Sequence, residues 1–291
     1  MVKNKRQAGL IFVFIIICGF IVFPFIMLVS VSLSDEQSVI RNGYRLIPEM
    51  LSLDAYKFVF KNPISVLNAY KITGMFSVLS MVASVMMMSM IAYPLSRTTF
   101  SKRRIVSFFL YFTMLFSGGL VPSYILITQY LHLDDTIWVY ILPAMISPWY
   151  VFMIRTFFQG LPEAIIESAY IDGASEFVIF LRIVVPLSKP VLATIALLVF
   201  LDKWNDWYTS MLYINNEGLI SLQYLLQRIM NNITLLQDQQ KNMQSVYTAT
   251  EIPSETVRMA MAVVVAGPAL FVFPFFQKYF VKGLTVGSVK G

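Results

Sequence analysis

LPEAIIESAYIDGASEFVIFLRIVVPLSKP, residues 161–190, is a soluble-looking segment with apolar runs on both sides, in a chain that is mostly apolar. It carries four acids, Glu163, Glu167, Asp172 and Glu176, around a central Gly173. Pro162 suits the first position of a helix, and Glu163 follows where the helix dipole favours an acid. That helix is predicted to run to about Ile171. Gly173 marks a sharp turn, because glycine takes backbone conformations that other residues resist. Ser175 is a good N-cap for a second helix, with Glu176 in its first turn. Phe177, Phe180, Leu181 and Val184 then fall at i, i+3, i+4 and i+7, which is one apolar stripe of a regular helix. Pro186 and Pro190 end it. The segment reads as a helical hairpin with an apolar and an acidic face. It could lie on a bilayer surface or dock on a protein. Hairpins that lie on anionic lipid are usually basic, so the acids favour a protein partner.

The rest of the chain is a frame for that segment. Hydrophobic residues make up 57% of the 291 and charged residues 13%, with a mean hydropathy of +0.69. Soluble domains carry about 25% charged residues, so the composition is that of a membrane protein. The net charge of +6 is spread between apolar runs rather than gathered in one patch. This argues for residues that set membrane topology and against a nucleic-acid partner. The single Cys18 and single His132 exclude an intrachain disulfide and a cysteine or histidine metal cluster. They also leave little from which to build a catalytic centre, so no catalytic or metal-binding residue is assigned.

Six apolar runs are long enough to cross a bilayer: 10–33, 72–96, 105–131, 136–154, 191–214 and 257–280. The first exceeds the apolar core of a cleavable signal peptide and is read as a spanning helix. Ser77, Ser80, Ala83 and Ser84 suit close packing of the second against its neighbours. Pro143 and Pro148 interrupt the fourth, and 202–206 (DKWND) interrupt the fifth. Between the first two runs, 34–68 reads as a loop with a short helix near Leu53–Phe60, capped by Ser52. Residues 215–256, rich in Gln and Asn, read as a long polar loop; its Asn232-Ile-Thr triplet is a glycosylation sequon by pattern only. Six crossings place both termini on one side. The N-terminus, 97–104, 155–190 and the C-terminal end hold 13 of the 22 basic residues, which puts them in the cytoplasm and 215–256 outside. The expected organisation is therefore a cytoplasmic N-terminus (1–9), a six-helix membrane domain (10–280) and a cytoplasmic tail (281–291).

Two further features bear on function. No G-x-x-x-x-G-K-[ST] phosphate loop occurs, so an ATP-driven role would need a separate ATPase. The second is Asp202, Lys203, Trp204, Asn205, Asp206, Trp207 and Tyr208 in the fifth run, with Asp206 roughly 22 Å from its start along a helix. Ionisable groups at depth usually face a protein interior or a wet cavity. Lys203 and Asp206 could pair and merely lock helices. Alternatively the cluster lines a substrate path, with Trp204, Trp207 and Tyr208 stacking on sugar rings and Asn205 and Asp206 bonding hydroxyls. A third possibility is an ion-coupled secondary transporter that uses Asp202, Lys203 and Asp206.

The residues of the opening segment also carry a family likeness. Glu167-Ser-Ala-Tyr-Ile-Asp-Gly-Ala174, followed by Ile183 and Pro186, resembles the EAA loop of permease subunits of binding-protein-dependent ABC importers, with Ser168 in place of the middle alanine. Lys282-Gly-Leu-Thr-Val-Gly-Ser-Val-Lys-Gly291 and Trp204-Asn205-Asp206 resemble the carbohydrate branch, the maltose-type second permease. The resemblance implies an all-α integral membrane protein of the type I ABC importer permease fold. The loop between helices 4 and 5 would be its coupling helix, seated in a cleft of a cytoplasmic ATPase. Glu167, Ser168, Ala169, Asp172, Gly173 and Ala174 would form the docking set, with Glu167 the docking acid and Gly173 the turn. The implied partners are a second permease, two ATPase subunits that hold ATP and Mg²⁺, and an extracytoplasmic sugar-binding protein. This chain itself would need no cofactor.

Overall fold

A computed structural model describes residues 2–242 and 254–287; all regular structure there is helical, apart from one isolated bridge between Ser34 and Leu51. The chain divides into two compact units, Met1–Leu67 with Leu225–Pro268, and Asn68–Tyr224 with Ala269–Gly291.

In the first unit α1 (Val2–Ser32) is an unbroken apolar helix whose side chains from Gly9 to Val29 are largely exposed, as suits contact with lipid or another membrane subunit. The 34–68 segment is more ordered than its polarity suggests. It holds α2 (Glu36–Asn42), capped by Asp35 through the Ser38 amide at 3.1 Å, and α3 (Asp54–Val59). Ser52, expected as the cap of α3, lies one residue before it: Leu53 takes the N-cap position, and Ser52 Oγ accepts from the Asp54 amide at 3.1 Å. Glu36 is the knot of this unit. Its carboxylate accepts from the amides of Ser254, Glu255 and Thr256 at 2.9–3.0 Å and from the Thr256 hydroxyl. These are the free donors at the start of the last helix, where an anion is favoured. Burial would push the Glu36 carboxyl up, but the bonds from Thr256, Glu255 and Ser254 outweigh it and hold it below its ordinary value.

The second unit begins within α4 (Pro63–Ser96), the second long apolar helix. Its Ser77, Ser80 and Ser84 are fully buried, as close helix packing requires. Next come α5 (Arg103–Leu115) and α6 (Leu120–Ile125), which continues through a π turn to Tyr130. The two pieces meet at 114°, so 105–131 is not one straight span. The cause is Phe116-Ser-Gly-Gly119: Phe116 turns extended and Gly119 sits at φ +86°, where only glycine is unstrained. The fourth run is likewise divided, into α7 (Trp138–Ile141) and α8 (Pro148–Gln159), with Pro143 in the break and Pro148 opening α8. The hairpin follows as α9 (Glu163–Ile171), α10 (Glu176–Ile179), a π turn over Phe180–Val184, and α11 (Val185–Leu187). An 80° bend then leads into α12 (Lys189–Trp204), and a second break into α13 (Tyr208–Tyr213).

Among the described residues three unbroken helices are long and apolar enough to cross a membrane, and the two bent pairs raise this to five. The expected polar loop is corrected in part: Leu222–Asn242 is a 21-residue helix, α14, and 243–253 lie outside the described residues. Glutamine is a good helix former, and Leu222, Leu226 and Ile233 supply a buried stripe at helical spacing. The last helix, α15 (Glu255–Gly287), runs past the expected end at Phe280 into the tail, of which 288–291 lie outside the described residues.

Candidate functional site

The hairpin is built on a continuous apolar cluster of the second unit. Ile166 and Ala169 of α9, Ile179 and Phe180, and Val184 are buried with Leu95 of α4, Ile154 and Phe158 of α8 and Ile195 of α12. Pro162 takes the N-cap position of α9 rather than its first turn. At the other end Asp172 is the C-cap and Gly173 lies at φ +75°. The Ala174 amide bonds the Ala169 carbonyl at 2.9 Å, and the Gly173 amide bonds the Tyr170 carbonyl at 3.0 Å. That pair of bonds is a Schellman motif, which accounts for three residue choices. Gly173 supplies the left-handed residue. Ala169 and Ala174 are small because they meet each other and the core where the chain reverses.

The sequence-predicted docking set therefore splits. Glu167, Ser168, Asp172 and Gly173 are exposed, whereas Ala169 is buried and Ala174 half-buried. Ile171, 86% exposed, stands among these acids, and Phe177 is exposed beyond the turn. Neither apolar residue was expected outside. The apolar stripe is corrected by the π turn, in which each turn takes more residues than in an α-helix. Phe180, Val184, Ser188 and Leu192 share the buried face at intervals of four, while Phe177 and Leu181 are exposed.

Glu176 is in the first turn of α10, as its spacing from Ser175 predicts. It also joins three elements: Tyr93 Oη of α4 donates to its Oε2 at 2.6 Å, and Tyr170 Oη of α9 to its Oε1 at 2.5 Å. Arg97 lies over the Tyr93 ring at 5.0 Å. Around them is a cavity of about 470 Å³, walled by Met90, Phe100, Phe177 and Phe180 and opening beside the hairpin.

The second cluster is dispersed by the break after α12. Trp204, 5% exposed, packs on Phe200 (ring centroids 5.8 Å apart) and on Tyr70 (6.4 Å). Asn205 donates to the Leu201 carbonyl at 2.8 Å and accepts from Gln223 of α14 at 2.9 Å. Asp206, one residue before the Trp207 N-cap of α13, accepts from the first-turn amide of Thr209 at 2.9 Å. Lys203 is buried, Asp202 is exposed, and among the described residues no ion pair joins Lys203 to either acid. Trp207 and Tyr208 remain exposed, edge to face at 5.8 Å. Nearby, Asp135 takes a left-handed conformation and its carboxylate accepts from the Asn215 and Asn216 amides at 2.5 and 2.8 Å. These two amides, that of Asn216 first, hold its carboxyl below the ordinary range.

Residues 61–286 match the family model for the binding-protein-dependent transport system inner membrane component. The polygalacturonan/rhamnogalacturonan transport system permease protein YtcP of Bacillus subtilis is 36% identical over 290 residues, covering 99% of this chain and all of the relative. Protein LplC of the same organism is 36% identical over 270 residues, 93% of this chain and 90% of the relative. The arabinooligosaccharides transport system permease protein AraQ of Halalkalibacterium halodurans is 30% identical over 303 residues, 99% and 100% respectively. A chain in the crystal structure of a bacterial ABC transporter involved in the import of the acidic polysaccharide alginate superposes with a TM-score of 0.79. It is 26% identical, with 96% of this chain and 98% of that chain covered.

Proposed function

The chain belongs to the family of binding-protein-dependent transport system inner membrane components, and from that membership we propose that it serves as the permease subunit of an ATP-driven importer that carries an oligosaccharide into the cell. The observation that carries this reading is the hairpin. A rigid Schellman turn presents Glu167, Asp172 and Ile171 outward from a core that also holds α4, α8 and α12. A push on that turn is passed to packed helices, because close-packed interiors move as units rather than deform.

In this reading the basic-residue pattern places the hairpin and both termini in the cytoplasm, with six crossings between them. An ATPase subunit receives the exposed members of the docking set, Glu167, Ser168, Asp172 and Gly173. ATP and Mg²⁺ belong to that subunit. The complex comprises a second permease, two ATPases and an external sugar-binding protein. The relatives named for pectic and arabinose oligomers support a carbohydrate cargo. Trp207 and Tyr208, the exposed aromatic members of the fifth-run cluster, are the residues that would stack on a sugar. The ion-coupled alternative is disfavoured, since Asp206 already accepts from the Thr209 amide and Lys203 is buried away from any ion pair among the described residues.

Reconstitution tests the assignment. Proteoliposomes holding the chain with its partner permease, ATPase and binding protein should take up labelled oligogalacturonate or arabino-oligosaccharide only when ATP is supplied on the ATPase side. Uptake by the chain alone under a proton or sodium gradient would overturn it.

A further inference from the structure

A second feature of the same membrane edge has no part in the hairpin. Between α5 and α8 lies a cleft of about 860 Å³ lined by three guanidiniums, those of Arg103, Arg104 and Arg155, and by no carboxylate. Among the described residues none of the three forms an ion pair. Arg155 donates from Nη1 to Ser107 Oγ at 3.2 Å, while its Nε is buried without an acceptor. Arg103 and Arg104 occupy the first turn of α5, where the helix dipole disfavours cations and favours an anion. Two of these guanidiniums at the N-terminus of α5 and the third facing them from α8, with no carboxylate lining the cleft, make a site of strong positive potential, and guanidinium is the side chain best matched to phosphate.

The rest of the cleft identifies which phosphate. Phe108, Tyr111 and Phe152 line the same space. From Phe108 an aromatic ladder continues along the exposed face of α5, through Phe112 (6.2 Å) to Phe116 (4.4 Å). A soluble anion has no use for that track, whereas acyl chains do. Arg155 lies about one turn before α8 ends, and α8 leads directly into the hairpin, so the cleft opens on the hairpin's side of the membrane. Basic pockets between spanning helices on that side are where anionic headgroups bind. We infer that the cleft between α5 and α8 seats the phosphate of an anionic phospholipid of the cytoplasmic leaflet, with its acyl chains along the Phe108–Phe116 ladder. The inference rests on the orientation proposed above, and the following test is independent of transport.

The assembled transporter and the full chain alone are purified in detergent and titrated with cardiolipin, phosphatidylglycerol, phosphatidylcholine or inorganic phosphate, and bound lipid is read by native mass spectrometry. Wild type should retain the two anionic lipids in preference to phosphatidylcholine, in both preparations. Arg103→Gln and Arg155→Gln should each weaken retention about fivefold, as for one basic group at an anionic surface. Arg104→Gln does the same at an exposed position and keeps the test valid if Arg155→Gln fails to fold. Lys61→Gln, a basic residue just before α4, should have no effect. Equal retention of zwitterionic lipid, indifference to all three arginine variants, or displacement of lipid by millimolar phosphate would overturn the inference. So would loss of the lipid on assembly, which would mean that a protein carboxylate covers the cleft.

Discussion

Gly173 is the position where the hairpin can be perturbed without touching anything else. It sits at φ +75°, and a Cβ added there meets no atom within 4 Å. Substitution is therefore resisted by backbone conformation alone and not by space. The left-handed region costs an ordinary L-residue about 1–2 kcal/mol, which is a factor of roughly 5–30 in the weight of the native turn. Asparagine tolerates the region better, and a β-branched residue tolerates it worse. The expected order of coupled transport is Gly, then Asn, then Ala, with Val lowest. The assay is ATP-driven uptake, together with binding-protein-stimulated ATP hydrolysis, in proteoliposomes of the assembled transporter. Membrane abundance of each variant is measured alongside and should stay near wild type, because Ile166, Ala169, Ile179 and Phe180 keep the hairpin seated. Two results would refute the reasoning. If Gly173→Val keeps full stimulation, the turn does not couple. If Gly173→Asn is as damaging as Gly173→Val, backbone handedness is not what the glycine supplies.

Three further substitutions separate structure from function elsewhere. Glu36 is held below its ordinary carboxyl pKa by the amides that start α15, so its stabilisation is complete above about pH 4.5 and is lost as pH falls through the depressed native value. Thermal unfolding of the detergent-solubilised chain between pH 7 and pH 3 should show Glu36→Gln less stable than wild type by about 2 kcal/mol at pH 7, with the gap closing in acid; a gap that does not depend on pH would remove Glu36 as the capping charge. Trp204→Ala should lower stability by about 3 kcal/mol or more, because the ring is buried between Phe200 and Tyr70. Trp207→Ala should leave stability nearly unchanged and raise the KM for oligosaccharide; if the two effects are exchanged, the division of the fifth-run cluster is wrong.

What the sequence made legible follows from which physics is local. The first, second and last apolar runs, the acids of 161–190, its glycine turn and the serines of α4 are each decided within a few residues, and each lies where expected. The breaks were harder. In 105–131 hydropathy is continuous, and only the Gly118-Gly119 pair marks the 114° bend. In 215–256 polarity masks a helix, because the many Gln and Asn residues resemble a loop while the apolar spacing that builds α14 rests on only Leu222, Leu226 and Ile233. The π turn at Phe180–Val184 has no sequence signature, since it is fixed by the packing of Phe180 and Val184 on α4, α8 and α12. Glu176 belongs to the same class: its acceptor role depends on Tyr93, 83 residues away.

That long-range contact sharpens how the hairpin would work. Its two helices are not a free lever on a loop. Glu176 ties the second helix to the first through Tyr170 and to the end of α4 through Tyr93. The Schellman bonds fix the angle between the helices at Gly173, and the π turn carries the buried face on without interruption from Phe180 to Leu192 in α12. A displacement at Glu167 or Asp172 therefore has no flexible joint to absorb it before the 80° bend at Ser188. Ser188 is buried, its hydroxyl makes no hydrogen bond among the described residues, and its amide bonds the carbonyls of both Val184 and Val185. The bend lies between the docking turn and the helix that carries Trp204 to its break. If ATP hydrolysis moves the hairpin, α12 moves with it, and the interrupted segment Asn205–Trp207 is the next place along that path, after Ser188, where the backbone leaves helical bonding and can change direction.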